Sequence, residues 1–515
     1  METIAALGIG KLIALLLIAC IVAVVTKHVR LPYTSALVVV GLVVGATRIL
    51  AGIELSEELI FYVFLPPLLF EGALTMDLQR LRENIKPISL LAIPGVFISV
   101  GIVGYLIHYL VGLSLPLSLL FGALISPTDP VSVLAAFKRI GVPPTLSAMV
   151  EGESIFNDGT GIVIFGIISG MIATGRIDLA MGLIDFMFVC LGGALIGLLM
   201  GYAVYKVLGY IDDHLVEVTV TLILAFSVFL IAETLHTSGV IGVVAAGLVI
   251  GNYGRILSMA PATRVALTAF WDFSVFIVNS LIFLLIGIEI HPEKLVFYWR
   301  EIGVAILSVI LARGIIVYSS TNMINVYSRD KIPLTWQHTA FWGGLHGTIP
   351  IALALGLSKA LPSRDLIIAM TFGVVLFSLV IQALSFELLV PKFKLVSLSE
   401  KQKEYEEKLG KVIAIKAARE ELQRMERTGE ISHAVYDELR GRYEGLAKGL
   451  SNDIAALVKD HERIKEQEKF LANHRALLAQ KSAIRDAVRR GIISGETAEK
   501  LTEEIDIKID ALYEK

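Results

Sequence analysis

Between residues 4 and 390 the chain offers thirteen apolar runs, most of them about twenty residues long, and no other feature limits its fold so severely. A helix of about 20 apolar residues crosses the roughly 30 Å hydrocarbon core of a bilayer. With 55% hydrophobic residues and a mean hydropathy of +0.73, lipid must be the solvent for most of this chain. The runs fall near 4–25, 31–50, 59–77, 88–110, 114–137, 145–173, 181–207, 215–235, 238–252, 266–289, 300–324, 333–358 and 365–390. They predict an all-α membrane protein of about 13 transmembrane helices. The first run lacks a basic leader and a small-residue cleavage site, which predicts a retained helix and not a cleaved signal.

Charge divides the chain into two expected domains, a membrane domain over 1–395 and a charged helical cytoplasmic domain over 396–515. The last 120 residues carry 23 Lys+Arg and 24 Asp+Glu, about half of the chain's 93 charged residues. Near-neutral net charge of -3 and mixed signs in the tail leave no basic surface for nucleic acid. Basic residues favour the cytoplasmic side of membrane loops. Loops after odd-numbered runs hold twelve Lys+Arg against six after even-numbered runs, so the N-terminus is expected outside and the C-terminus in the cytoplasm. Compact loops without a targeting segment point to the cell membrane of a prokaryote. Cys20 and Cys190 lie inside apolar runs, where cysteine serves as a small hydrophobe. The tail repeats itself weakly, residues 427–432 returning as 489–494, and reads as an amphipathic helical bundle.

Two runs are interrupted by helix breakers at corresponding depth: Ser126-Pro127-Thr128-Asp129-Pro130 in the fifth and His346-Gly347-Thr348-Ile349-Pro350 in the twelfth. Proline removes a helical hydrogen bond and frees a carbonyl, and lipid cannot satisfy that carbonyl. Breaks of this kind persist where they line a cavity, and a matched pair suggests two inverted repeats with a midplane site. Two ordinary proline kinks are the plainer alternative.

Carboxylates at mid-membrane are functional candidates because each is expensive to insert. Glu71 follows Pro66-Pro67 in the third run, Asp129 lies in the break, and Glu153 and Asp158 occupy the sixth run. Helical spacing pairs Ser154 with Asp158 on one face and Glu153 with Asn157 on the next. Hydroxyl and carboxylate oxygens suit a hard cation, and Thr128, Asp129 and freed carbonyls can supply the remaining ligands. Arg313 is the one basic residue near the middle of a run, so it is expected to hold Glu153 and the Asn157 amide oxygen as a structural network. Asp158 and Asp129 are then left without a protein cation. A bare carboxylate is costly there, so the site is neutralised by a proton or a metal ion in turn.

These motifs resemble the NhaP/NHE branch of the monovalent cation:proton antiporters. The likeness spans residues 1 to about 395 and rests on Leu65-Pro66-Pro67-Leu68-Leu69-Phe70-Glu71-Gly72, Thr128-Asp129-Pro130, Glu151-Gly152-Glu153-Ser154 running into Asn157-Asp158, and Gly343-Gly344-Leu345. The resemblance implies a NhaA/NhaP-like fold with crossed broken helices and a homodimer whose core slides as an elevator. It implies Na+ and H+ as substrates, with no cofactor. Asp158 would be the ion and proton carrier. Asp129, Thr128 and Ser154 would complete the Na+ site, Glu71 would act through water, and Glu153, Asn157 and Arg313 would brace it. The Asn157-Asp158 pair resembles electroneutral members, implying exchange of one sodium, or lithium, for one proton. One position departs: His346 stands where the family usually has arginine. Histidine titrates near neutral pH, so His346 is a candidate modifier of pH profile or ion selectivity, against the alternative that it simply bonds a freed carbonyl.

A potassium/proton antiporter of the same fold uses the same hard ligands. From another class, an intramembrane aspartyl protease would use Asp129 and Asp158 as a dyad. The chain lacks the Gly-x-Gly-Asp signature of that class, and Ser154 and Asn157 make better sense for a cation. A non-transporting sensor would bind cations without moving protons.

Overall fold

A computed structural model describes residues 2–29, 31–47, 56, 58–140, 142–175, 178–211, 213–259, 261–327, 331–393, 400–460, 462–489 and parts of 492–508. All regular structure among these residues is helical. The membrane unit comprises α1 (Glu2–Val29), α2 (Tyr33–Thr47), α3 (Leu59–Thr75), α4 (Ile85–Val111), α5 (Leu115–Ile125), α6 (Val131–Ile140), α7 (Pro144–Thr174), α8 (Leu179–Leu208), α9 (His214–Thr234), α10 (Gly239–Val249), α11 (Pro261–Glu289), α12 (Trp299–Tyr327), α13 (Leu334–Trp342), α14 (Thr348–Leu355) and α15 (Arg364–Leu376). Eight described helices are long and apolar enough to cross a membrane, and shorter apolar helices lie between them.

Two apolar runs expected as single spans are each two half-helices. Residues 126–130 separate α5 from α6, and residues 343–347 separate α13 from α14. Pro127 and Pro130 lack an N–H, so the helical hydrogen-bond ladder cannot pass through, although Ser126 just before Pro127 still keeps right-handed helical angles of φ −69° and ψ −31°. In the second break, Gly343, Gly344 and Gly347 offer little to hold a helix together.

Glycine decides where helices come closest. Gly41 and Gly45 of α2 lie against the backbone of Leu284 and Ile288 on α11, and Gly287 returns the contact on Val38. Gly193, Gly197 and Gly201 of α8 seat against Ser238, Gly242 and Ala246 at α10, leaving no room for a Cβ at the first two and a tight fit at the third. That stripe is therefore occupied within the chain. The outer face of α8 is apolar and uncovered, with Phe188 64% and Leu191 61% exposed, as lipid contact requires.

Contacts divide the chain into Met1–Val396 and Ser397–Lys515. In the second unit, α16 (Glu400–Arg427) and α17 (His433–Asp460) form an antiparallel pair, with Lys408 on Asp453 at 2.7 Å and Arg419 on Glu444 at 3.2 Å. Gly429 turns the chain between them at φ +76°, a conformation glycine adopts without penalty. A third helix, α18 (Glu462–Arg489), follows. Gly491, the counterpart of Gly429 in the weak repeat, lies outside the described residues.

Candidate functional site

The two breaks are joined directly to each other. The Asp129 N–H donates to the Leu345 carbonyl at 2.7 Å, and His346 Nδ1 lies 3.1 Å from the Pro127 carbonyl. Backbone groups that proline and glycine release from the helices thus find partners across the crossing, as lipid demands. The His346 N–H donates to Ser378 Oγ at 2.8 Å. Asp129 Oδ1 accepts the Val131 N–H at 3.0 Å, which caps the start of α6. Gly347 packs on the Asp129 carboxylate so closely that a Cβ there would overlap it.

Helix α7 runs past this crossing and presents two neighbouring faces. Ser154 Oγ donates to the Thr128 carbonyl at 2.5 Å. Asn157 clamps the same residue twice: its Nδ2 donates to Thr128 Oγ1 at 2.7 Å, and its Oδ1 accepts the Thr128 N–H at 3.3 Å. The Asn157 amide oxygen therefore serves the Thr128 backbone, where the sequence suggested Arg313. The guanidinium of Arg313 instead spans both Glu153 oxygens, Nη1 on Oε1 and Nη2 on Oε2 at 2.9 Å, with a further bond from Nη2 to the Ala340 carbonyl at 2.9 Å. Glu153 is 3% exposed and Arg313 14%, so this is a buried, bidentate pair. Gly344 makes room for it, since a Cβ would stand 2.5 Å from Arg313 Nε. A small void of about 30 Å³ touches Glu153, Asn157, Arg313, Thr128 and His346, the size of roughly one water.

On the other face of α7 a cavity of about 140 Å³ opens, and Asp158, Asp129, Thr128, Ser154 and Glu71 all line it. Arg313 and His346 do not; they belong to the smaller void behind the crossing. Asp158 lies within electrostatic reach of both Asp129 and Glu153. Toward one end, Glu71 and Glu151 lie within reach of each other and of Lys138, and Glu71 also senses Asp272. The cavity thus offers several anionic and neutral oxygens, and Lys138 is outside its lining. Such a surface favours a small hard cation over any anion.

Two lining residues were missed by sequence reasoning. Glu151 stands seven residues before Asp158 with Ser154 between them, so the helical stripe was there to find. Asn279 of α11 is an uncharged polar residue in an apolar span, and attention to charge passed over it.

Known proteins share both sequence and fold. The Na(+)/H(+) antiporter NhaG of Bacillus atrophaeus is 38% identical over 496 residues, covering 94% of each chain. The Na(+)/H(+) antiporter ApNhaP of Aphanothece halophytica is 39% identical over 75% of this chain and 74% of its own. The solved structure of the sodium proton antiporter MjNhaP1 from Methanocaldococcus jannaschii at pH 8 superposes with a TM-score of 0.64 at 24% identity, covering 76% of this chain and 99% of that one, and shows the antiporter fold. Residues 13–392 match the family described as sodium/hydrogen exchanger, transmembrane. With its broken helices, buried carboxylates and full-length relatives taken together, this chain belongs to the sodium/hydrogen exchanger family of multi-pass membrane transporters.

Proposed function

We propose that the protein exchanges sodium, and lithium in its place, for protons across the cell membrane, one for one, and so serves pH homeostasis. The observation that carries this is the cavity where Asp158, Asp129, Ser154 and Thr128 gather, while the only mid-membrane guanidinium among the described residues is engaged with Glu153. A carboxylate facing an aqueous cavity inside lipid can hold a proton or a metal ion, and the two compete. The names of the relatives support sodium over potassium as the cation.

In this reading Asp158 is the shared carrier. Asp129 caps α6 with one oxygen and leaves the other to the ion; Ser154 and Thr128 add neutral oxygens, and Glu71 acts through water. Glu153 and Arg313 hold α7 to α12, and Asn157 fixes Thr128 beside the ion through its hydroxyl and N–H. His346 adjusts the pH profile or ion preference from behind the Pro127 carbonyl. Residues 1–395 form the transport domain, with two inverted repeats whose crossed half-helices slide as an elevator in a homodimer. The N-terminus lies outside, and residues 396–515 form a cytoplasmic domain.

The test is purified protein in proteoliposomes with an imposed pH gradient and sodium, lithium or potassium added in turn. Sodium and lithium should collapse the gradient, and the rate should not respond to a membrane potential. Potassium-driven collapse of equal size, or a potential-dependent rate, would change the ion or the stoichiometry. Parental rates from Asp158→Asn would remove the carrier.

A further inference from the structure

Asn279 lines the 140 Å³ cavity together with Asp158, is only 9% exposed, and makes no hydrogen bond to any described residue. That is an unusual state for a primary amide, which offers two N–H donors and a carbonyl oxygen with two lone pairs. Among the described residues the amide's polar atoms are not enclosed and unpartnered, so with no protein partner they are open to the cavity. Its neighbours along α11 do not share the condition: Ser280 bonds Tyr33 and the Phe276 carbonyl. The amide's missing partners must come from what fills the cavity.

Helical spacing relates the two helices. Glu71 lies within electrostatic reach of both Glu151 on α7 and Asp272 on α11. Seven residues farther along each helix, about 10 Å at 1.5 Å per residue, come Asp158 and Asn279. Ser154 on α7 and Val275 on α11 line the stretch between. The amide and the carrier carboxylate therefore line one cavity, together with Thr128 and Asp129 of the crossing, each seven residues along its helix from an acid that influences Glu71 or is influenced by it.

Accepting the antiport reading above, we infer that Asn279 is a specificity-determining residue, whose carboxamide oxygen completes the shell of the transported cation directly or by holding its water. A neutral oxygen added to the cavity's carboxylates and hydroxyls changes the number and spacing of ligands, and these discriminate between lithium, sodium and potassium. When the cation leaves, the same amide can turn its N–H groups toward the cavity's carboxylates and its oxygen away. Asn279 carries no charge and does not titrate at working pH, so the proton half of the cycle stays with Asp158.

The experiment measures KM and maximal rate for lithium, sodium and potassium in proteoliposomes for the parent, Asn279→Leu, Asn279→Thr and Asp158→Asn. Asn279→Leu keeps the branched shape and removes both polar functions. It should raise KM for sodium by about tenfold, the equivalent of one hydrogen bond to a charged group, and change the lithium:sodium:potassium ratio of KM values while the pH profile keeps its shape. Asn279→Thr restores an oxygen and should recover part of the loss. It also serves if the leucine variant fails to insert. Unchanged KM ratios in both variants, with Asp158→Asn inactive, would overturn this inference alone. Parental exchange by Asp158→Asn would overturn the antiport reading and this inference with it.

Discussion

Glu153 and Asp158 sit on adjacent faces of one helix, five residues apart, and the tertiary structure gives them opposite surroundings. Glu153 looks toward α12, where Arg313 grips both of its oxygens and Gly344 leaves space for the guanidinium. Asp158 looks into a cavity with no basic residue in its lining. The difference teaches that a buried carboxylate is no single kind of object. Paired with a guanidinium it fixes the helix in place, and facing a cavity without one it is free to exchange its counter-ion.

The contrast breaks most sharply at Asp158. Asp158→Asn should reduce cation-driven proton movement to the background of empty vesicles while the protein still inserts and runs as the parent on size exclusion. Next comes Arg313→Ala, which strands Glu153 as an uncompensated buried charge. It should lower stability by about 3–5 kcal/mol, read as a drop in melting temperature in detergent, and Glu153→Gln in the same background should return much of it. If Arg313→Ala melts and transports like the parent, the two faces of α7 are not different in kind.

His346 tests the boundary between the two faces, since it contacts the Pro127 carbonyl from the Arg313 side. His346→Arg should displace the pH profile of exchange by about half a unit or alter sodium-over-potassium preference. An unmoved profile and preference would make it only a hydrogen-bonding partner of that carbonyl. A smaller effect is expected from Glu151, which adds negative charge to the cavity side without reaching the carrier's level. Glu151→Gln should raise KM for sodium by about threefold, more at low ionic strength, with maximal rate retained.

The smallest effect belongs to the tail, where ion pairs are bathed in solvent. A hydrogen bond from His433 to Glu426, with Asp437 adding to it, holds the imidazole protonated above its ordinary range. A raised folded pKa means that this contact contributes fully below about pH 6.5 and fades as pH rises through the higher folded value. Limited proteolysis of the full chain between α16 and α17 should therefore become slightly faster as pH increases, and His433→Ala should abolish that dependence. A strong pH dependence here would show that exposed pairs matter more than screening allows.

Much of this was legible in the chain. Hydropathy gave helices and a membrane, and Pro127, Pro130 and Gly347 marked the breaks, because backbone chemistry is local and proline acts on its immediate neighbours. Asp129, Asp158 and Glu71 were recognisable as candidates because charge is rare in apolar spans, and Ser154 and Thr128 because they stand beside it on the helix or at the break. Asn157 shows the limit. Its nearness to Glu153 on the helix suggested a shared arginine, yet its amide is used on Thr128, and no spacing rule foretells which of several partners a side chain takes. Glu151 was visible in the helical stripe, but nothing in one helix tells which stripe faces a cavity.

The sequence by itself determined that this chain is helical, membrane-embedded and a member of the exchanger family, because burial in lipid and backbone satisfaction follow from residue type and order. The inventory of charges anticipated Arg313 with Glu153, but only the tertiary structure decided the other meetings: Asn157 with Thr128, and Asn279 with the cavity in place of any described residue. Those pairings depend on distances between helices far apart in the chain, and such distances are set by the packing of the whole unit.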